Sequence, residues 1–585
     1  MSEAGKIAAA DEGVQDAPGA LEKRVVRVAP NMDPQAAANI WWAYATLGRE
    51  PGAEAQAALE AASERVAPGM NAQDAANIWW AYATLGREPG AEARAALEAA
   101  VARVAPGMKP QELANTWWAY AKLDREPGAE ARSALEAGVV RVGPVMDPQN
   151  VANTWWAYAT LGREPGAEAQ AALEAASERV APGMEPQHVA NIWWAYATLG
   201  RMPGAEARSA LEVAVVRVGP VMDAQNAANT WWSYATLDWE PGATARAALE
   251  VAVERVAPGM KPQEVANIWW AYATLDREPG AEARAALQAA VVRVGPDMNA
   301  QDVANTVLAQ ATLRLMPGTA AQAALEVAVV RVAPSMAAQN MANTVFAHAT
   351  LGLTPGASAR AALEAAMVRV GPSMNAQEIS NTVWSLLTSA ATRSVPLPAC
   401  YHSLWQAACE LDVGSLKDVG LRNLFHARLI HTQLVSGDVP DEVTFPPWIM
   451  TEAQAAWKRQ VRDDVTASRD HRQLASIIDD LGVPYVLESL ADDGNFSVDV
   501  FLTVDDVAVE FDGPTHFINT SDSDAAPRTT KTTKTELRDM FLRNRYRTVL
   551  SVPWFEWADA KGPAEKREYV ADKLRAAGVT VPASA

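Results

Sequence analysis

The sequence predicts a mostly α protein: an α-solenoid of about ten 38-residue helix-turn-helix repeats, followed by helices and a small α+β domain. Three observations carry this reading. Asn39, Asn77, Asn115, Asn153, Asn191, Asn229, Asn267, Asn305, Asn343 and Asn381 recur every 38 residues. Between them, apolar residues fall at helical spacing and are punctuated by Gly and Pro. After Ser394 the period vanishes, and from Tyr485 short β-rich runs take over.

Nine full units run from Met32 to Ser373, and a tenth begins at Met374 and decays after Ser385. "ALEKRVVRVAP" from Ala20 matches the second half of a unit, so the array spans 20–385 behind a lead, 1–19, expected to be disordered. In the second copy Asn71 is a helix N-cap, a position held by Asp33 before Pro34 in the first. The first helix carries Ala76, Trp79, Trp80 and Ala83, and "REPG" at Arg87–Gly90 ends it. The second helix sets Leu97, Val101 and Val104 on one stripe, and "APG" at Ala105–Gly107 closes the unit. No strand is expected in the array.

Adjacent helical residues point about 100° apart, so Trp79 and Trp80 cannot share a face. One is expected in the seam within its unit and the other in the seam with a neighbour. Val307-Leu308, Val345-Phe346 and Val383-Trp384 replace the pair in later units, which suits packing better than a stacking platform.

The Gln-x-x-x-Asn pair (Gln35/Asn39, Gln73/Asn77 and onward) is present in every copy. It reads as a ladder of side-chain amides bonded across units, or as a row facing a ligand. The residue after the Gln varies: Ala36, Asp74, Glu112, Asn150, His188, Asn226, Glu264, Asp302, Asn340, Glu378. Four residues on, the chain alternates between two β-branched residues: Ile40, Ile78, Thr116, Thr154, Ile192, Thr230, Ile268, Thr306, Thr344, Thr382. A variable polar residue beside a small partner, once per unit, is the pattern of a reader taking one RNA base per repeat. The other reading is free drift at exposed positions. Drift would also bring in Lys, Arg, Ser and Gln, which are absent from the column.

The net charge of −20 gives no overall basic footprint, so nucleic-acid binding must rest on local patches, stacking or base edges. No apolar run approaches a membrane span, and Cys400 and Cys409 are too few for a disulfide framework or a metal cluster. The acid-containing amino terminus is a poor transit peptide.

Residues 386–471 read as connecting helices, among them "LRNLFHARLIHTQLV" from Leu421. His426 and His431 stand five apart and so do not share a face as metal ligands would. Further on, Val498–Thr503 and Val507–Asp512 read as strands joined by a turn at Asp505-Asp506, with Gly513-Pro514 stopping the second. A polar loop, a helix "ELRDMFLRNRYR", a third strand "TVLSVPWFEW" and an amphipathic last helix follow. Asp499, Glu510 and Asp512 bring carboxylates to neighbouring strands, the way metal-dependent nucleases hold Mg²⁺; for Asp512, capping a turn is the equal alternative. Arg528, Lys531, Lys534, Arg538, Arg543, Arg545 and Arg547 form the one basic cluster suited to phosphate.

With its period and hairpin layout, Ala20–Ser385 resembles the octotricopeptide family of organellar RNA-binding repeat proteins. The stretch "VDVFL…VAVEFDGPTHF…LRDMFLRNRYRTVLSVPWFEW", within 472–585, resembles the RAP domain, named as an RNA-binding domain abundant in apicomplexans and shared with FAST-kinase-like RNA regulators. RAP domains are similar to PD-(D/E)xK nucleases. The resemblance implies Asp499 as the core acid, Glu510 or Asp512 as a second Mg²⁺ ligand, and His516 as a candidate acid/base. The motif lysine falls on Asp512, leaving Lys531 or Lys534 to substitute.

These resemblances imply a single-stranded RNA partner, with ribonucleoprotein or other protein partners beside it and no membrane or DNA partner. The expected role is processing, stability or translation of particular transcripts in an organelle, the mitochondrial matrix before the chloroplast. The rival expectations are a Mg²⁺-dependent endoribonuclease guided by the array, and a protein-binding scaffold.

Overall fold

The computed structural model describes residues 17–435, 446–464, 468–491, 493–520 and 529–582, so residues 1–16 of the lead and Arg528 lie outside the described residues. The chain divides into two compact units, Met1–Val256 and Ala257–Ala585, parted between the sixth and seventh repeats.

In the first unit a helix at Ala17–Val28 supplies the half-repeat, starting three residues before the match at Ala20. Helix pairs follow, from Pro34–Thr46 with Ala53–Val66 to Ala224–Thr236 with Ala243–Val256. Local chemistry sets each boundary. The Asn71 side chain accepts from Asp74 N at 3.0 Å and starts the first helix of its unit. Gly86, at φ 65°, stops it in the left-handed region. Gly90 opens the second helix where a Cβ would stand 2.7 Å from Glu60 Oε2, so a side chain there would push the Glu60 carboxylate aside. At the end of that helix the Arg103 guanidinium donates to Met70 O at 2.8 Å and Ala67 O at 3.1 Å, closing the preceding turn onto this unit. Arg65, Arg179 and Arg217 repeat the clasp.

The two tryptophans part as their angular offset requires, but not into two seams. The first of each pair is buried and meets a tyrosine of the next repeat: Trp79–Tyr120 and Trp117–Tyr158 each have centroids 4.5 Å apart. The second is not in a seam. Trp42 is 41% exposed, and Trp80, Trp118, Trp156, Trp194 and Trp232 are half-buried. Successive first helices pack side by side around the buried ring, and the second indole is left partly open to solvent.

The second unit continues the repeats from Pro262–Thr274 to a longer last first-helix, Ala376–Arg393. Its strands are β1 Leu315–Met316, β2 Tyr485–Leu490, β3 Ser497–Leu502, β4 Val507–Asp512, β5 Asn519–Thr520 and β6 Thr548–Pro553. The main sheet has the order β2-β3-β4-β6, antiparallel except for the parallel β4–β6 pair. Its core packs Leu474, Ile478, Val500, Val509, Phe511 and Leu574 from the strands and the helices Arg469–Asp480 and Pro563–Ala576.

Two expectations are corrected here. The array does contain a strand: in the eighth repeat "LRLMPG" replaces "LGREPG", and β1 pairs in parallel with β5. The break between helices is already extended, so its free backbone groups accept a partner strand. The third expected strand stops early, because Pro553 has no N–H for the ladder and serves as N-cap of a helix at Trp554–Asp559.

Candidate functional site

The variable column of the repeats lies at the third position of the first helix, and six of its side chains serve the helix start. Glu112 accepts from Lys109 N at 2.7 Å, Glu264 from Lys261 N at 2.7 Å, and His188 Nδ1 from Glu185 N at 3.1 Å. Asp74, Asp302 and Glu378 do the same for Asn71, Asn299 and Asn375, which cap them in return. Where the cap is Asp33, Asp147 or Asp223, the cap side chain alone accepts the third N–H, and the third residue is Ala36, Asn150 or Asn226. Capping and the positive end of the helix dipole therefore account for Asp, Glu and His in the column, whereas the side chains of Asn150, Asn226 and Asn340 make no cap bond among the described residues. At Asn340, the cap residue Ala337 offers no side-chain bond either.

The β-branched partners face inward. Ile78, Thr116, Thr154, Ile192, Thr230, Ile268, Thr306 and Thr344 are each 0% exposed. Thr116, Thr154, Thr230 and Thr344 turn their hydroxyls to the carbonyl one turn back. The two columns thus do not form a shared outward face, and a base could not touch both.

The amide row behaves oppositely to the expected ladder. Among the described residues, the Gln and Asn side chains of the first nine repeats form no hydrogen bond with protein; only the tenth does, with Gln377 Nε2 donating to Asn381 Oδ1 at 2.7 Å and Asn423 Nδ2 to the same atom at 3.0 Å.

At the small sheet, Asp499, Glu510 and Asp512 do come together. The β3–β4 ladder ends at Val500 and Val509, and carboxylates take over beyond it. Asp499 Oδ2 accepts from Phe511 N at 2.7 Å, and Glu510 Oε1 from Asp499 N at 3.4 Å. Arg538 Nη2 lies 2.6 Å from Glu510 Oε2 and donates to Ser497 O at 2.9 Å. Lys531 Nζ reaches Asp512 Oδ2 at 2.6 Å and Asp539 Oδ2 at 2.8 Å, so a lysine meets the Asp512 carboxylate from the segment before the next helix. His516 Nδ1 lies 3.0 Å from Asp512 Oδ1, and the Ser551 hydroxyl donates to Asp512 Oδ2.

Burial pushes the Glu510 carboxyl well above its ordinary range, against the pull of Arg538. Burial would also raise Asp512, but hydrogen bonds from His516, Lys531 and Ser551, with the Lys531 charge, hold it down at about 2. Its ordinary value is 3.8. A depressed folded value stabilises above the unfolded one and is lost as pH falls through the folded one. Asp512 should therefore contribute about 2 kcal/mol at neutral pH, lost between about pH 5 and 2. Urea unfolding across that range should show a shallower acid limb in Asp512→Asn; an unchanged limb refutes the assignment.

The basic cluster is largely committed to these acids. Besides Lys531 and Arg538, Arg545 pairs with Asp493 at 2.5 Å and lies over Phe496, while Arg547 Nε donates to Asp505 O at 2.7 Å. Arg543, 61% exposed, stands 3.6 Å from Asp539, and Lys534 is exposed.

The carboxylates expected to hold Mg²⁺, Asp499 and Glu510, lie in a cluster already neutralised by side-chain cations. Glu510 Oε2 is held by the Arg538 guanidinium and Asp512 Oδ2 by Lys531, so an ion on these oxygens would compete with a like charge already in place. A different trio was missed by sequence reasoning. His471 Nδ1 lies 3.0 Å from Glu488 Oε1, its Nε2 lies 3.8 Å from Asp499 Oδ2, and the three donors fall within 4.8 Å of one another. They come from a helix and two strands, and the one local sign is Glu488 at φ 52° within a strand, visible only in the backbone.

The fold and site together define a helical-repeat protein that carries a small mixed domain with a charge-compensated carboxylate cluster. Residues 509–573 match the RAP domain family, so the chain carries that domain. Residues 219–391 match a family described as Tbc2 translation factor, N-terminal domain, and residues 96–117 match a protein of unknown function, DUF1601. No curated protein matches the chain at a significant level.

Proposed function

We propose that the protein binds single-stranded RNA and acts on the processing, stability or translation of particular organellar transcripts, mitochondrial in the first instance and chloroplast in the second. The observation that carries this is the pairing, in one chain, of a RAP domain with repeats matching a translation-factor domain. The RAP domain is also tied to the repeats of its own compact unit. Asn519 Nδ2 donates to Glu278 Oε2 at 3.1 Å, and Arg393 pairs with Glu536 at 2.6 Å. Exposed Lys534 and Arg543 supply phosphate contacts, and the compensated carboxylates make the cluster a structural support for binding rather than a hydrolytic centre.

The test is crosslinking and recovery of RNA bound in cells, then fluorescence anisotropy with the recovered sequence. Lys534→Glu with Arg543→Glu should weaken binding about tenfold and flatten its salt dependence. Recovery of no RNA above background, or binding untouched by the double change, overturns the proposal.

A further inference from the structure

We propose that the first helices of Met1–Val256 form a docking surface for an extended, positively charged polypeptide segment. Each of the six repeats in this unit carries Gln, Asn and the second Trp at i, i+4 and i+7, as in Gln73, Asn77 and Trp80, so the three lie along one helix face. None of these amides is bonded to protein, and the indoles have no ring partner among the described residues. Successive first helices pack side by side within the unit, which makes the face a continuous row.

Identical residues in every repeat recognise something that recurs along a ligand whatever its sequence. A primary amide offers donors and an acceptor together, and an extended peptide backbone presents both N–H and C=O. A phosphodiester group only accepts, so in an RNA backbone the 2′-OH alone could serve the amide oxygens. Charge decides in the same direction. The first turns of these helices carry Asp33, Asp74, Glu112, Asp147, Glu185 and Asp223, opposed by Lys109 alone, with burial holding the His188 imidazole below its usual pKa. The arginines are engaged elsewhere: Arg103 and its equivalents hold backbone carbonyls, and Arg87, Arg125, Arg163 and Arg201 each pair with a glutamate of the preceding repeat. Such a face repels a polyanion and attracts lysine and arginine, whose stems and cationic ends suit half-exposed indoles. This surface is separate from the residues on which the RNA reading is tested, Lys534 and Arg543, which lie in the RAP domain.

The experiment is fluorescence anisotropy of the full chain with three probes: a short peptide rich in lysine and arginine, its glutamate counterpart, and a uridine-rich RNA. The basic peptide should bind, more weakly as salt rises, and the acidic one should not. The combined Asn77→Ala, Asn115→Ala and Asn153→Ala change should weaken peptide binding about tenfold while helicity by circular dichroism holds. Asp33→Asn, Asp147→Asn and Asp223→Asn together retain capping side chains and alter charge alone, so they should weaken the peptide and flatten its salt dependence even if the first set disturbs folding. Absence of peptide binding, or peptide binding indifferent to both sets, overturns the proposal. So does loss of RNA binding in the asparagine set with the peptide unaffected, which would assign the row to nucleic acid. The RNA reading fails separately, on the Lys534 and Arg543 variant.

Discussion

Trp117→Ala should cost the array about 3–5 kcal/mol, whereas Trp118→Ala, one residue on, should cost about 1 kcal/mol. Trp117 is 2% exposed and stacks on Tyr158 of the next repeat, and its indole N–H has no hydrogen-bond partner. The loss is therefore one of apolar burial and cavity formation, not of a hydrogen bond. In a solenoid, repeats depend on their neighbours, so the damage should spread to the adjoining units before the rest. Urea unfolding followed by circular dichroism gives the total, and hydrogen exchange across the second to fourth repeats gives its location. Equal costs for the two substitutions would mean that the division into a buried and an outward tryptophan is wrong. Trp41 and Trp155 offer a graded comparison, since their N–H groups donate to Ser63 and Ser177 at 3.0 and 3.1 Å.

Arg538→Met should destabilise the RAP domain by about 3–5 kcal/mol, because it strips the counter-charge from a buried carboxyl that must then stay uncompensated or take up a proton. Glu510 is 2% exposed, and Arg538 also faces Asp499, Asp512 and Asp539. Changing Glu510→Gln at the same time should restore much of the loss, since a neutral amide needs no cation. Hydrogen exchange of the β4 amides isolates the effect from the array. A cost below about 1 kcal/mol for Arg538→Met alone would show that the pair is screened, and the carboxylates would then again be open to an ion.

The period, the helix pairs and the onset of the mixed domain were legible because each signal is repeated or local. Ten copies of one spacing leave little freedom in unit boundaries. What escaped depends on the backbone or on long separations. The Asp, Glu and His members of the variable column looked like recognition because the N–H groups they serve do not show in a list of side chains. The amide row looked internal because invariance between copies is shared by packing and by binding, and only the missing partners separate them. Arg538 and Glu510 meet across a helix and a strand, and β1 meets β5 across most of the second unit, where no periodicity points. Asp499, Glu510 and Asp512 were correctly grouped, since alternation along strands dictates their face, yet the cations that neutralise them arrive from the segment and helix between β5 and β6.

The arginine clasp at the end of each second helix has a consequence for how the array changes length. Donor and acceptors recur at the same interval, as in Arg103 with Met70 and Arg179 with Met146. Excising or inserting one whole period therefore brings a new arginine to an equivalent carbonyl, and every junction closes as before. A cut of any other size strands a guanidinium and opens a turn. The array can grow or shorten in whole steps without relearning how to fold, while the eighth repeat, whose β1 holds the RAP domain, is fixed in place.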